Sequence, residues 1–270
     1  MSIFFALVLG VVQGLTEFLP VSSSGHLVLL QKVFGISEPT LFFDTMVHVG
    51  TLAAVFAALW RDIGAILRRI IQPLTAYLIL ATIPAVVFAL VFKEYIEKAF
   101  ESGKLLGFAF LITSVLLLVS EVLFGRGGRK SAAGRKKAGE MNWLDALIIG
   151  VLQAAAIIPG VSRSGSTLSG ALSRRLDRDF AARFSFLLSI PAILGALVLQ
   201  LKEPAEIPAA GGIGAGPLIV GTLSAAIVGF FTVRLMLKIV RERSLTGFAV
   251  YTAILGVLVL IDQFVTHLVF

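Results

Sequence analysis

Cysteine is missing altogether from the 270 residues, which removes disulfides and thiolate metal sites from consideration while saying nothing about compartment. Charge is the second scarcity. Only 14% of residues are charged, against about 25% in a soluble domain, too few to coat a water-facing surface. Neither a soluble enzyme nor a disordered chain fits this balance. An outer-membrane barrel is excluded too, because the apolar runs are continuous rather than alternating. The first residues, Met1 to Phe5, lack the basic stretch and the small-residue cleavage site of a removable signal peptide.

What is present is apolar: 57% of residues are hydrophobic and the mean hydropathy is +0.97. Nearly uncharged runs fall at 40–60, 73–92, 105–124, 184–201, 214–233 and 244–261, each about the 20 residues a helix needs to cross ~30 Å of hydrocarbon. The fold class expected is an all-α polytopic membrane protein with six transmembrane helices. Two further apolar stretches, 1–35 and 142–175, are broken by Leu19-Pro20-Val21-Ser22-Ser23-Ser24-Gly25 and by Pro159-Gly160-Val161-Ser162-Arg163-Ser164-Gly165. Pro and Gly end helices, and irregular backbone at membrane depth persists only where protein or a watery cavity surrounds it. Both stretches therefore read as re-entrant helix–loop–helix hairpins.

A shift of 140 residues without gaps pairs Gly10, Val11 and Gln13 with Gly150, Val151 and Gln153. The same shift pairs Val21, Ser22, Ser24 and Gly25 with Val161, Ser162, Ser164 and Gly165, and Gly107-Phe108-Ala109 with Gly247-Phe248-Ala249. Matches at one constant offset along the whole chain indicate an internal duplication: residues 1–125 as one unit, a basic linker at 126–141, and residues 142–270 as the second unit. Each unit holds one hairpin and three spans. The odd number of spans makes it an inverted-topology repeat, with the polar tips of the hairpins meeting near the midplane. The linker region carries Arg126, Arg129, Lys130, Arg135, Lys136 and Lys137 against Glu140, which assigns it to the cytoplasm and both termini to the outside. The basic residues follow the membrane, not nucleic acid, which is not expected as a partner.

The first hairpin holds Gln13 and Glu17 on one helix face, followed by Ser22, Ser23, Ser24 and His26. An ionisable residue at membrane depth is costly and marks function by default. Ser23 and His26 stand three apart, so hydroxyl and imidazole could meet over one turn. The second hairpin holds Ser162, Arg163, Ser164 and Thr167 leading into a helix, a combination suited to an oxyanion or phosphate. A lone loop arginine would be explained by the cytoplasmic bias alone. The duplication argues otherwise, since the matching loop carries acid–base groups where this one carries an anion clamp. Asp44 and His48, four apart on the third apolar segment, are expected to face the same cavity behind these groups. Glu121 and Asp145 are expected to pair with the basic loop.

The run Gln13-Gly14-Leu15-Thr16-Glu17-Phe18-Leu19-Pro20-Val21-Ser22-Ser23-Ser24-Gly25-His26 and the run Pro159-Gly160-Val161-Ser162-Arg163-Ser164-Gly165-Ser166-Thr167 resemble the two signatures of the BacA-type undecaprenyl pyrophosphate phosphatases, the bacitracin-resistance family. Order and spacing match end to end; Gln13 stands where many members have Glu. The resemblance implies hydrolysis of undecaprenyl diphosphate to undecaprenyl phosphate and inorganic phosphate in the bacterial cytoplasmic (inner) membrane, recycling the lipid carrier for cell-wall synthesis. It also implies a divalent cation, Mg²⁺ or Ca²⁺, for which Glu17 and Gln13 are the candidate ligands. Glu17, Ser23, His26 and Arg163 are the candidate catalytic residues, and Ser22, Ser24, Ser162, Arg163, Ser164 and Thr167 the diphosphate-binding set. The nucleophile is Ser23 activated by His26, or else a metal-activated water polarised by Glu17; the sequence leaves both open. A homodimer is left open as well. A secondary transporter for a phosphate-bearing anion or lipid is the competing reading, and the serine–histidine pair beside Glu17, Ser23 with His26, is what distinguishes the two.

Overall fold

The computed structural model describes residues 1–36, 41–125, 135–201 and 213–270. The stretches 37–40, 126–134 (most of the expected linker, with Arg126, Arg129 and Lys130) and 202–212 lie outside the described residues. The described chain is helical and contains no strand, only an isolated backbone bridge between Lys136 and Leu176.

Twelve α-helices are described: α1 (Ile3–Thr16), α2 (Ser23–Val33), α3 (Leu41–Ala58), α4 (Trp60–Arg68), α5 (Pro73–Val91), α6 (Lys93–Ser102), α7 (Leu106–Val119), α8 (Trp143–Ala155), α9 (Arg163–Ser173), α10 (Arg178–Leu201), α11 (Ala215–Glu242) and α12 (Thr246–Ile261). Among them α3, α5, α10, α11 and α12 are long and apolar enough to cross a membrane. The sixth expected span, at 105–124, has a shorter regular helix, the 14 residues of α7, continued by a π-helical turn over Ser120–Gly125. Large apolar side chains such as Ile71, Ile219, Ile227, Phe231 and Ile254 point outward from the bundle. In water that surface would drive aggregation; in a bilayer it faces acyl chains.

The two broken stretches have the same construction. α1 and α8, of 14 and 13 residues, stop before Pro20 and Pro159 respectively. After each break a serine restarts the helix by accepting a backbone N–H: Ser22 Oγ from Gly25, and Ser162 Oγ from Gly165. α9 begins and ends 140 residues after α2, and α12 begins 140 residues after α7.

The first helix of each hairpin packs on the opposite half of the chain, α1 on α11 and α8 on α5, while α7 packs on α12. Small residues permit this. A Cβ built on Gly10 would lie 2.3 Å from the Gly221 carbonyl oxygen, and one on Gly150 would lie 2.5 Å from that of Ala81. Backbones at such contacts touch directly, as in tightly packed membrane helices. Gly10 and Gly150 correspond under the 140-residue shift, and so do Ala81 and Gly221.

Ion pairs tie the end of the bundle that carries the basic residues. Asp145 accepts from Lys136 at 2.9 Å and from Arg174 at 2.7 Å. Its predicted pairing with the basic loop is met by Lys136. Glu121 instead accepts from Arg178 of α10 at 2.7 Å and from the Leu245 backbone N–H. It reaches α10 because the π-helical turn carries it there.

Candidate active site

Glu17 lies one residue beyond α1, almost fully buried, where an unpaired carboxylate would cost several kcal/mol. Its partners come from both halves of the chain. Arg163, the first residue of α9, donates through Nη2 to Glu17 Oε1 at 2.5 Å. Ser23, the first residue of α2, donates through Oγ to Oε2 at 2.5 Å, and Gln13 donates through Nε2 to Oε2 at 2.9 Å. His48 of α3 stands with Nε2 3.5 Å from Oε2. Its Nδ1 is 2.6 Å from the Asp44 carbonyl oxygen; a carbonyl can only accept, so the Nδ1 proton is fixed there and Nε2 is turned toward Glu17.

These groups open onto a cavity of about 330 Å³. Its polar wall is Glu17, Ser22, Ser23, Ser24, Asp44, Thr45, His48 and Arg163, and its apolar wall includes Leu27, Leu41, Phe100, Ile157, Val161, Ala192, Ile193 and Ala196. The polar residues suit a charged group and the apolar ones a hydrocarbon.

The structure separates the candidate residues into two groups. Glu17, Ser22, Ser23, Ser24, Arg163, Asp44 and His48 line the cavity. Gln13, His26, Ser162, Ser164 and Thr167 do not line it and are buried; Gln13 is bonded to Glu17 and the rest to other partners. Ser162 Oγ caps α9, Ser164 donates to the Leu19 carbonyl at 2.9 Å, and Thr167 bonds the Arg163 carbonyl at 2.9 Å and Ser185 Oγ at 2.5 Å. These bonds hold the start of α9, and hence Arg163, against the first hairpin. His26 is turned away from Ser23: Nδ1 is 2.7 Å from the Ser22 carbonyl oxygen and Nε2 is 2.7 Å from the Tyr251 hydroxyl. Asp44 is held by Gln31 Nε2 at 2.7 Å.

Several supporting residues carry no local sequence signal. Thr113 of α7 accepts from the Ser162 backbone N–H at 2.9 Å and donates to the Gly160 carbonyl at 3.2 Å, clamping the second loop. Gly160 has a φ of 94° and no room for a Cβ, which would fall 2.7 Å from the Ala109 side chain. Tyr251 approaches His26 from α12, 225 positions away in the chain. Only contacts between distant helices could reveal Thr113 and Tyr251.

For a hard cation the donor chemistry is suitable but sparse. Gln13 Oε1 is buried without a hydrogen-bond partner, an amide oxygen on the residue that already bonds Glu17. Among the described residues no three His, Asp or Glu side chains cluster closely enough to form a complete metal cage. A cation here would take one carboxylate from Glu17 and, with the Gln13 amide turned over, one amide oxygen, leaving its remaining ligands to phosphate and water.

The family of bacitracin resistance protein BacA matches residues 6–258. The chain is 48% identical to the undecaprenyl-diphosphatase of Carboxydothermus hydrogenoformans over 97% of its own length and 98% of that protein's. It is 46% identical to undecaprenyl-diphosphatase 4 of Bacillus thuringiensis subsp. konkukian, with 96% of each chain covered. An undecaprenyl-diphosphatase of Methanosphaera stadtmanae is 38% identical over 97% of this chain and 98% of that one. The chain belongs to the BacA family.

Proposed function

Since the chain belongs to that family, we propose that it hydrolyses undecaprenyl diphosphate to undecaprenyl phosphate and inorganic phosphate. The observation that carries this reading is the convergence on one buried carboxylate of a serine hydroxyl from the first hairpin and a guanidinium from the second. The guanidinium fork suits a phosphate, and the entering diphosphate replaces Glu17 as its partner. Ser22 and Ser24 hydroxyls stand on the same wall to meet the remaining oxygens. The apolar wall takes the first isoprenoid units.

Ser23 is the nucleophile in this mechanism, with Glu17 rather than His26 as the base, because Ser23 Oγ already donates to Glu17 Oε2. Glu17 takes the hydroxyl proton as an Oγ–P bond forms at the terminal phosphorus. The bridging P–O bond breaks, and undecaprenyl phosphate leaves with the bond's electrons. Glu17 passes its proton to the departing undecaprenyl phosphate. The freed carboxylate then deprotonates a water that attacks the phosphoserine phosphorus, and Glu17 returns that proton to Ser23 Oγ as the Oγ–P bond breaks and phosphate is released. Arg163 stabilises the charge that develops on the non-bridging oxygens. Glu17 and Gln13 would hold Mg²⁺ or Ca²⁺, which when bound supplies further neutralisation of the phosphate charge. Attack by water activated directly at Glu17 is the alternative to the serine.

Transport alone needs no hydroxyl on a buried carboxylate, so the Ser23–Glu17 bond favours hydrolysis over the transporter reading. The duplicated architecture fits the inverted repeat of two units, 1–125 and 142–270, with six spans, two re-entrant hairpins and both termini outside the cytoplasmic membrane. Phe100 and the first turn of α3 line the cavity; segment 93–104 sets three Lys against three Glu, the balance of an outer loop, which supports a cavity served from the outer side. A homodimer is compatible with this arrangement.

The test is phosphate release from undecaprenyl diphosphate by purified protein in detergent, with acid quenching to trap phosphoserine. Release by the wild type and a labelled Ser23, both lost in Ser23→Ala, are expected. Folded protein that releases no phosphate would overturn the hydrolase reading. Release without label, undiminished in Ser23→Ala, would assign the attack to water.

A further inference from the structure

Ser22 is one of three non-glycine residues with positive φ in the described chain, at φ 71° and ψ 95°. A side chain in that region is strained and persists only where its surroundings over-determine it. The strain sits one residue before Ser23, whose Oγ bonds Glu17. Four contacts hold the turn. The Ser22 hydroxyl caps the Gly25 N–H at 3.3 Å and meets Ser24 Oγ at 3.3 Å, while the Ser22 carbonyl accepts from the His26 backbone N–H at 3.2 Å and, more closely, faces His26 Nδ1 at 2.7 Å.

A carbonyl oxygen only accepts, so His26 must carry a proton on Nδ1. In the neutral ring Nε2 is then a lone pair, and its partner at 2.7 Å is the Tyr251 hydroxyl, which donates to it. The Tyr251 ring also stacks on the imidazole at 5.7 Å and 10°, while Phe110 meets it edge-on at 5.5 Å and 79°. The imidazole is buried, while Tyr251 is 46% exposed and reaches inward to it from the outside of α12.

We infer that Tyr251 is a positioning residue for the hydrolysis: its hydroxyl, donating to Nε2, holds the imidazole in the orientation whose Nδ1–H grips the strained Ser22 carbonyl and so sets Ser23 on Glu17. The residue belongs to α12 in the second half of the chain, which thus supplies a support for the serine as well as the Arg163 clamp. His26 in this account never touches substrate. The inference rests on the reading of Ser23 and Glu17 as the reacting pair, but its first test does not involve activity.

That test is the ¹⁵N spectrum of the imidazole in the wild-type protein, with His26 assigned by the signal missing from His26→Gln. The expected state is a protonated Nδ1 and a bare Nε2; any proton on Nε2 overturns the inference whether or not the enzyme is active. The second test is kinetic. Tyr251→Phe keeps the ring and removes the hydroxyl, so kcat should fall about tenfold while KM changes less than twofold. Glycine adopts φ 71° without strain, so in a Ser22→Gly background, itself slower, Tyr251→Phe should cost less than about twofold. A tenfold loss in both backgrounds, or no loss in either, would contradict the inference.

Discussion

Arg163 and Glu17 stand 146 positions apart in the chain and share one hydrogen bond, and the chemistry of the site turns on what each can exchange it for. Removing the arginine outright would strand a buried carboxylate, at a cost of about 3–5 kcal/mol in stability, so Arg163→Ala confounds folding with catalysis. Arg163→Lys keeps the charge but loses the planar fork. Its phosphate release is expected to fall about 100-fold with little change in melting temperature; turnover near wild type would show that charge alone suffices. Chelation should abolish release, and Mg²⁺ or Ca²⁺ should restore it. Gln13→Ala should raise the cation concentration needed for half-recovery, whereas an unchanged requirement would remove Gln13 from the metal's surroundings. Glu17, Ser23 and Arg163 were legible in the sequence because each sits in a polar interruption of an otherwise apolar stretch. The partner of His26 was not. Spacing of three along a helix says that Ser23 and His26 can approach, but the strained Ser22 turn offers the imidazole a nearer carbonyl, and Tyr251 approaches from a helix that no local pattern connects to it.

At the scale of elements, the two short hairpin helices are held by backbone contact. Gly10→Ala would push a methyl into the Gly221 carbonyl, an overlap with backbone that cannot swing aside, and should cost about 1–3 kcal/mol or more. Gly64 in α4 has open space around its missing Cβ, so Gly64→Ala should be neutral or raise stability by up to about 1 kcal/mol. Melting in detergent distinguishes the pair, and equal shifts would mean that the α1–α11 contact is not tight. Hydropathy located the long helices to within a few residues, except where charge misled it. α11 was expected to stop at 233 and continues to Glu242, and α10 begins at Arg178 rather than 184, because a helix need not end where its side chains become charged. For the same reason the charged helices α4 and α6 were invisible to a search for apolar runs. The π-helical continuation of α7 has no sequence signal that we can identify.

At the scale of the whole molecule, the absence of cysteine becomes an experimental convenience, since any introduced cysteine is the only thiol. With an impermeant reagent on intact cells, Ser102→Cys should label from outside and Gly139→Cys only after permeabilisation. The reverse pattern would invert the proposed orientation. The constant 140-residue offset was legible in the sequence because small residues recur at matching helix contacts, Gly10 with Gly150 and Ala81 with Gly221. That α1 packs on α11 and α8 on α5 was not legible, since an offset within one chain does not reveal which segments touch.

The central claim is that groups from both halves act as one site, and a double-variant cycle of phosphate release on Glu17→Gln and Arg163→Lys tests it most directly. If both serve a single diphosphate, the double variant should be scarcely slower than the worse single variant. If the two losses multiply in full, the residues work independently and the shared site is contradicted.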